Sequence, residues 1–495
     1  MVVVGIDVGT QSLKAVVCND RLDVLGAHSI AYPTSFPRPG WAEQDPRAWE
    51  AALAPAVGGA LLAAGASPSD VACVAFTGQL DGCIAVDGNG VPLHPALIWQ
   101  DRRAVAHVQA APRLFDISGQ IADASHMAPK IAWLRAQGIR AVRYHQPISY
   151  LVERVTGAAA LDPAHASTTM LFDLHAGAWS HELCNAYSIE EAELPSVQPA
   201  HGIAGALTTG GAALLGLQAG TPVAVGTGDD FATPLGAGVA TPGPIIVALG
   251  TAEVVGALAE SPVFDRANAR AASDPWHALV EPMVETHAYP TGGYFVENPG
   301  WLSGGAVRWA SNLLGCATDA ELDALAATAP AGASGLSFVP ALAGAMTPQW
   351  RGHARGTLHG LSAAHDRSHV ARAVLEGLAC ACRDVVQRLV ALGLPAHHAL
   401  VLGGGGKSRL WLQIRANMLG LDHLVAARTD TAAVGAAMLA LVAVGQLADV
   451  SVAAALVPAS TTIVTPEASL DDVYARYRRL VRHIGPLGDE PWGSS

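Results

Sequence analysis

Two Gly-Thr turns and two aspartate-bearing turns stand out in this chain. In Asp7-Val8-Gly9-Thr10 a carboxylate ends an apolar run beside a glycine and a hydroxyl. Such a turn can hold a hydrated Mg²⁺ while its backbone N–H groups meet phosphate, and it can equally be a plain hairpin closed by an Asx turn. Gly250-Thr251 repeats the pattern far downstream. Two Gly-Thr hairpins facing each other would grip a triphosphate from both sides. Gly226-Thr227-Gly228-Asp229-Asp230 follows the apolar run Pro222 to Val225. Glycine turns the chain sharply there and leaves a carboxylate at a strand end, where it can act as a general base or simply be solvated.

The elements that must position these groups read as mixed α/β. Val2 to Val8 and Ser12 to Asn19 form a hairpin pattern, and Ile245 to Leu249 leading into Val254-Val255 form a second, which points to an internal duplication. Strand-like runs occur at Val71 to Thr77, Ile84 to Val86 and Ala399 to Leu402; the last opens into Gly403-Gly404-Gly405-Gly406 and a helix from about Ser408 to Leu419. Helices are also expected around Lys130 to Gln137, from Gly304 and from about His369 to Leu392. The Gly- and Pro-rich stretch Ala237 to Pro244 divides the 495 residues into two expected domains, 1–240 and 241–495, with a hinge between them.

Composition narrows the function. The chain is 51% hydrophobic and 14% charged, with a net charge of −13, so it is globular and carries no broad basic surface for nucleic acid. Small anions need only local N–H groups and a metal ion. The first residues lack a basic region, and the longest apolar stretch, Ala432 to Gly445, suits a buried helix, so a soluble, cytoplasmic protein with no membrane partner is expected. Seven cysteines include Cys380 and Cys382 on one expected helix and read as free buried thiols. The remaining histidines, such as His397-His398, show no metal-ligand spacing and read as structural or surface groups.

Taken together, GIDVGTQSLK, FTGQLDG, LIWQDRR, GTGDD, ALGTAE and GGGGKSRLW resemble the FGGY carbohydrate kinases, in particular their xylulokinase branch, from residue 2 to about 445. Gly356, Leu358, Gly360, Leu361, His369-Val370 and Ala373 to Glu376 fit the family's second signature, whereas the first is met only partly by Ser125, Lys130, Ile131, Trp133 and Leu134, with Met127 out of pattern. The resemblance implies two actin-like, ribonuclease-H-like domains around a catalytic cleft, the first binding sugar and the second ATP. It also implies that Asp229 is the catalytic base and, with Asp230, a sugar contact, and that Asp7 lies near Mg²⁺. Thr10, Gln11, Ser12 and Lys14 would form the first phosphate loop and Gly250 and Thr251 the second. Gly403, Gly404, Gly405, Gly406 and Lys407 would take the nucleoside, with Gly304 and Asn417 nearby. Gln79, Leu80, Asp81, Trp99, Asp101 and Arg102 would line the sugar pocket, although a packed Trp beside an Asp–Arg surface pair is an equal alternative for the last three.

Asp81 stands where xylulokinases carry His, and it resembles the acidic residue of glycerol kinases; an ionised Asp only accepts hydrogen bonds. Gly344-Ala345-Met346-Thr347-Pro348 lacks the Glu-Arg pair of many relatives. The expected reaction is transfer of phosphoryl from ATP to a terminal hydroxyl, with D-xylulose the first acceptor and ribulose, L-xylulose, glycerol or a tetritol the alternatives. A catalytically silent sugar or nucleotide sensor and an actin-like ATPase are the rivals of other classes. Monomer and homodimer both stay open.

Overall fold

The computed structural model describes residues 1–484 except 110, 112, 267–281, 349, 352, 353, 459 and 461. Strand β1 (Val2–Val8) is almost wholly apolar because both its faces are covered: Val2, Val4, Ile6 and Val8 join one core with Trp49 and Leu53, and Val3 joins another. It turns into antiparallel β2 (Ser12–Cys18), which pairs with β3 (Val24–Ala31). Helix α1 (Pro46–Ala64), capped by the Asp45 carboxylate accepting from Arg47 N, crosses one face of the sheet. It leads to β4 (Val71–Gly78), parallel to β1. After α2 (Met127–Ala136) and the short α3 (Pro163–Ala166), the strands β5 (Ile203–Ala206), β6 (Pro222–Ala224) and β7 (Thr227–Gly228) complete a seven-stranded sheet ordered β5-β6-β4-β1-β2-β3, with β7 also beside β4. Helix α4 (Asp229–Gly236) ends this lobe.

The second lobe repeats the scheme. Hairpin β8 (Ile245–Leu249) and β9 (Ala252–Ala259) is antiparallel like β1 and β2. The seven-stranded sheet runs β10-β11-β9-β8-β12-β13-β14, formed by β10 (Glu285–Ala288), β11 (Tyr294–Leu302), β12 (Ala399–Leu402), β13 (His423–Val425) and β14 (Thr462–Val464). The parallel partner of β8 is β12, as β4 is of β1. The duplication expected from the two hairpins is therefore present in the topology. Helix α5 (Gly304–Leu314) follows β11; α6 (Arg367–Ala391) carries Cys380 and Cys382, both buried; and α7 (Arg409–Leu419) follows the glycine loop.

The apolar stretch near 432–445 is helix α8 (Thr431–Ala443), wedged between the two sheets and not confined to the second lobe. Its approach is so close that a Cβ on Gly5 would lie 2.0 Å from the Ala433 carbonyl oxygen and one on Gly236 1.8 Å from that of Thr431. Among the described residues no helix is long and apolar enough to cross a membrane. The Met346 loop, which lacks a Glu-Arg pair, is held instead by Asn298 Nδ2 donating to Met346 O at 2.9 Å.

Candidate active site

Strand register gathers the aspartate turns. Asp7 pairs with Thr77 of β4, and Gly78 pairs with both Val8 and Gly228, so Asp7, Gln79 and Asp229 leave the same carboxyl edge of the first sheet. That edge is where ligands bind to open α/β sheets. Gly226 permits the turn: its φ is +79°, and a Cβ there would meet the Phe76 carbonyl oxygen at 2.1 Å. Thr227 Oγ1 donates to the buried Asp162 carboxylate at 2.8 Å and fixes the approach to α4.

The carboxylates at this edge feel one another. Burial, and then the Asp229 charge, push Asp7 up to about 7 against the pull of Lys14, and Asp7 Oδ1 is enclosed without a hydrogen-bond partner. Burial also raises Asp229, to about 6; the N–H groups at the start of α4 oppose the rise, and the charges of Glu297 and Asp81 add to it. Asp230 lies well above the usual carboxylate range, through burial and then through Glu297 and Asp229.

Each Gly-Thr turn is closed by its glycine N–H, Gly9 N donating to Ser12 O at 3.0 Å in the first and Gly250 N to Ala252 O at 2.9 Å in the second, which is one residue shorter. Gln44 Nε2 and Thr34 Oγ1 donate to Thr10 O, and Trp99 Nε1 donates to Thr10 Oγ1 at 3.0 Å, which ties Trp99 to the first Gly-Thr turn. Gln11 is exposed; Ser12 and Lys14 are half-buried beside it. The start of α5 sits directly on the second turn, with Gly304 N donating to Gly250 O and Gly305 N to Thr251 O. A Cβ on Gly304 would be 2.3 Å from Gly250 O, so only glycine allows this contact. Behind it, Arg415 of α7 grips Glu253 through two bonds of 2.7 and 2.5 Å, both side chains fully buried, and Ser303 Oγ donates to the same carboxylate at 2.7 Å. Gly403 to Lys407 cap β12 on this side, Gly403 at a φ of +83°. Asn417 does not join them. It lies about 13 Å further along α7, where its Oδ1 accepts from Gln413 Nε2, Glu467 N and Ala468 N.

Beyond the first turn stands the loop expected to read sugar. Gln79 is buried, donating Nε2 to Gln44 Oε1 at 2.8 Å and leaving Oε1 without a partner. Leu80 presses on Gly228 so closely that a Cβ there would sit 1.9 Å from Leu80 Cδ2. Asp81 adopts a φ of +58°, a conformation aspartate tolerates better than most residues. Lys130 Nζ, wholly buried, donates to Asp81 O, Ile98 O and Ser125 O and so staples this loop; burial brings it down to about 8. For Asp101 and Arg102 the alternative of a surface pair does not hold. Asp101 is buried and accepts from Ala42 N at 2.7 Å and from Arg103, whereas Arg102 pairs with Asp123. The Asp101 carboxylate is thus committed to holding the loop.

Sequence reading missed the groups that the second lobe and the histidines bring here. His126 Nδ1 lies 3.2 Å from Asp81 Oδ1, and its Nε2 lies 3.5 Å from Glu285 Oε1 across the lobe boundary. His287 Nε2 lies 3.3 Å from Glu297 Oε1. Burial works against a charge on His126, yet Asp81 and Glu285 together raise it well above the ordinary value. His165 is buried beside Asp81 and pushed down to about 3 by burial. The lobes meet at this point: Ile121 N donates to Glu285 Oε1 at 2.6 Å, Thr286 N to Gly119 O at 3.1 Å and Ala288 N to Ser167 Oγ at 3.1 Å. One signal was available: Glu285 and His287 are two apart on a strand, hence on one face of the sheet.

The donor set suits Mg²⁺ bound with a nucleotide. That ion takes one or two carboxylates and completes its shell with phosphate oxygens and water, and Asp7 offers an enclosed, unpartnered oxygen. Among the described residues no three His, Cys, Asp or Glu side chains are grouped to hold a metal unaided.

Comparison with known proteins agrees with this arrangement. The N-terminal domain of the FGGY family of carbohydrate kinases matches residues 2–236 and the C-terminal domain residues 246–444. The chain is 32% identical to glycerol kinase from Bordetella parapertussis, over 90% of this chain and 89% of that protein. It is also 32% identical to glycerol kinase from Gloeobacter violaceus, over 88% and 87%. Among solved structures, xylulose kinase from Rhodospirillum rubrum superposes with a TM-score of 0.87 at 27% identity, over 99% of this chain and all of that one. With two lobes of duplicated topology, paired Gly-Thr turns and both family domains in order, the chain belongs to the FGGY family of carbohydrate kinases.

Proposed function

We propose that the chain transfers the γ-phosphoryl group of ATP to a terminal hydroxyl of a small open-chain ketose or polyol, with Asp229 as the base. The supporting observation is the strand register that brings Asp7, Gln79 and Asp229 to one sheet edge, where the charge of Asp229 is felt at Asp7 and that of Asp81 at Asp229. In this reading Asp229 accepts the hydroxyl proton as the sugar oxygen bonds to phosphorus. The bond from phosphorus to the β-phosphate bridging oxygen breaks, ADP departs, and the proton leaves Asp229 for solvent. The Thr10 and Thr251 N–H groups, which the turns' own closing bonds leave unused, are the donors offered to the negative charge on the phosphates. Asp7 would help hold Mg²⁺ bound with the nucleotide, and that ion would supply charge neutralisation to the phosphates. Asp7, Gln79 and Trp99 orient, and the lobe contacts at Glu285 and Ala288 exclude water, which would otherwise compete as acceptor.

D-xylulose is the acceptor favoured by the similarity to xylulose kinase structures. Glycerol is the second reading, favoured by Asp81 and by the identity to glycerol kinases. A coupled ADP-release assay across D-xylulose, L-xylulose, ribuloses, glycerol and tetritols, with products identified by mass spectrometry, tests both. Turnover independent of every acceptor would favour an ATPase instead, and no turnover a silent sensor.

A further inference from the structure

The acceptor side of the cleft holds more polar groups than the proposed transfer needs. Glu297 Oε2, His287 Nδ1 and both ring nitrogens of His165 are buried without a hydrogen-bond partner. Side chains this enclosed normally find partners, and an isolated donor or acceptor is costly, so several together mark a place for a hydrogen-bonding ligand. They belong to one site. Glu297 Oε1 lies 3.3 Å from His287 Nε2, Ala288 N beside His287 donates to Ser167 Oγ two residues beyond His165, and His126 stands between Asp81 and Glu285; the charge of Asp81 is accordingly felt at His165, His287 and Glu297. The His287 ring lies 5.6 Å from that of Phe231, two residues beyond Asp229 on α4.

From this convergence we propose that the second lobe supplies half of the acceptor-reading wall. His287 and Glu297, opposite His165 and the Asp81–His126 pair, bind the acceptor's hydroxyls remote from the one phosphorylated and select an uncharged polyhydroxy compound over a carboxylated one. The inference rests on the kinase reading and deepens it. Its chemistry follows from the donor inventory. A neutral imidazole such as His165 both donates and accepts, a protonated imidazole donates and a carboxylate accepts, so imidazole and carboxylate side by side match a row of hydroxyls. The charge balance sets the exclusion. Six carboxyl groups, Asp7, Asp81, Asp229, Asp230, Glu285 and Glu297, stand among four basic side chains, His126, His287, Lys14 and Lys130, and burial and crowding already disfavour the ionised form of several of them, so an acceptor bringing its own carboxylate adds charge where it is poorly tolerated. Because β10 and β11 carry two of the contacts, the wall is complete only with the lobes together, and acceptor binding and closure are then one event.

The test uses the full chain and its variants Glu297→Gln, His287→Asn and His165→Asn, assayed with glycerol, erythritol, D-xylulose and gluconate. Wild type is expected to refuse gluconate. Each variant should lose about 10- to 100-fold in kcat/KM for the preferred acceptor, the effect of one hydrogen bond involving a charged group. The loss should appear mainly in KM, with ATP KM unchanged, and should be larger for erythritol and D-xylulose than for glycerol, which has fewer remote hydroxyls. If Glu297→Gln does not fold, His165→Asn, a smaller side chain too short to place a polar atom where His165 Nε2 stands, carries the same test. Folded variants with unchanged acceptor KM and ranking, or gluconate among the best wild-type acceptors, overturn this inference alone. A wild-type chain that phosphorylates nothing overturns the kinase reading and this inference with it.

Discussion

Substituting Asp229 by asparagine keeps the shape of the side chain and removes its ability to take a proton. In the wild-type protein burial and the charges of Glu297 and Asp81 bring this carboxyl up to about 6. The base is active when ionised, so activity is gained as pH rises through that value. From the titration curve, roughly one tenth of the base is ionised at pH 5 and nine tenths at pH 7. Wild-type kcat/KM should therefore climb steeply from about pH 5, bend near 6 and flatten above 7. Asp81→Asn removes one of the charges holding the carboxyl up and should move the bend to lower pH. Asp229→Asn should lower kcat by about 10²- to 10⁴-fold, the usual contribution of a positioned base, while ATP KM changes little. The assay is coupled ADP release with limiting acceptor between about pH 4.5 and 8. An Asp229→Asn variant within about threefold of wild type, or one that keeps the same acid bend, refutes the assignment.

Four further outcomes follow from the geometry. Glu253→Gln strands the fully buried Arg415 guanidinium and should cost about 3–5 kcal/mol of stability by urea unfolding. Gly304→Ala puts a Cβ 2.3 Å from Gly250 O; pushing α5 off the phosphate turn should raise ATP KM by about tenfold or more and leave acceptor KM near wild type. Asp81→His exchanges an acceptor-only group for one that also donates, and should reorder a panel of ketoses and polyols in kcat/KM. Chelation by EDTA should abolish turnover, and Asp7→Asn should raise the Mg²⁺ concentration for half-maximal rate, measured by titration at saturating ATP.

How far the sequence reached depended on whether a function was written in one local segment. The two hairpins, the glycine loop and the aspartate turns were legible because turn chemistry and strand periodicity are short-range, and the structure places Asp7 and Asp229 at one sheet edge. Gly304 was legible as a helix start. Its packing on Gly250 was not, since nothing in either segment names the other. Of the two readings open for Asp101 and Arg102, the sugar pocket and a surface pair, the second does not hold, for the same reason. Adjacent residues of opposite charge look like a pair, yet Asp101 turns inward to Arg103 and Ala42, and Arg102 outward to Asp123. Asn417 failed on distance along its helix. The histidines were passed over because metal spacing was the signal sought, whereas their partners are carboxylates from remote strands.

The alanine-rich helix wedged between the sheets ties the start of the chain to its far end. During synthesis the first sheet must wait for residues near 431–443 before one of its apolar faces is covered, so the N-terminal half leaves the ribosome with a sticky surface and no lid for it. Contacts so distant in sequence slow folding, and splitting the polypeptide at the Gly- and Pro-rich boundary should give two aggregation-prone fragments that recover solubility only when produced together.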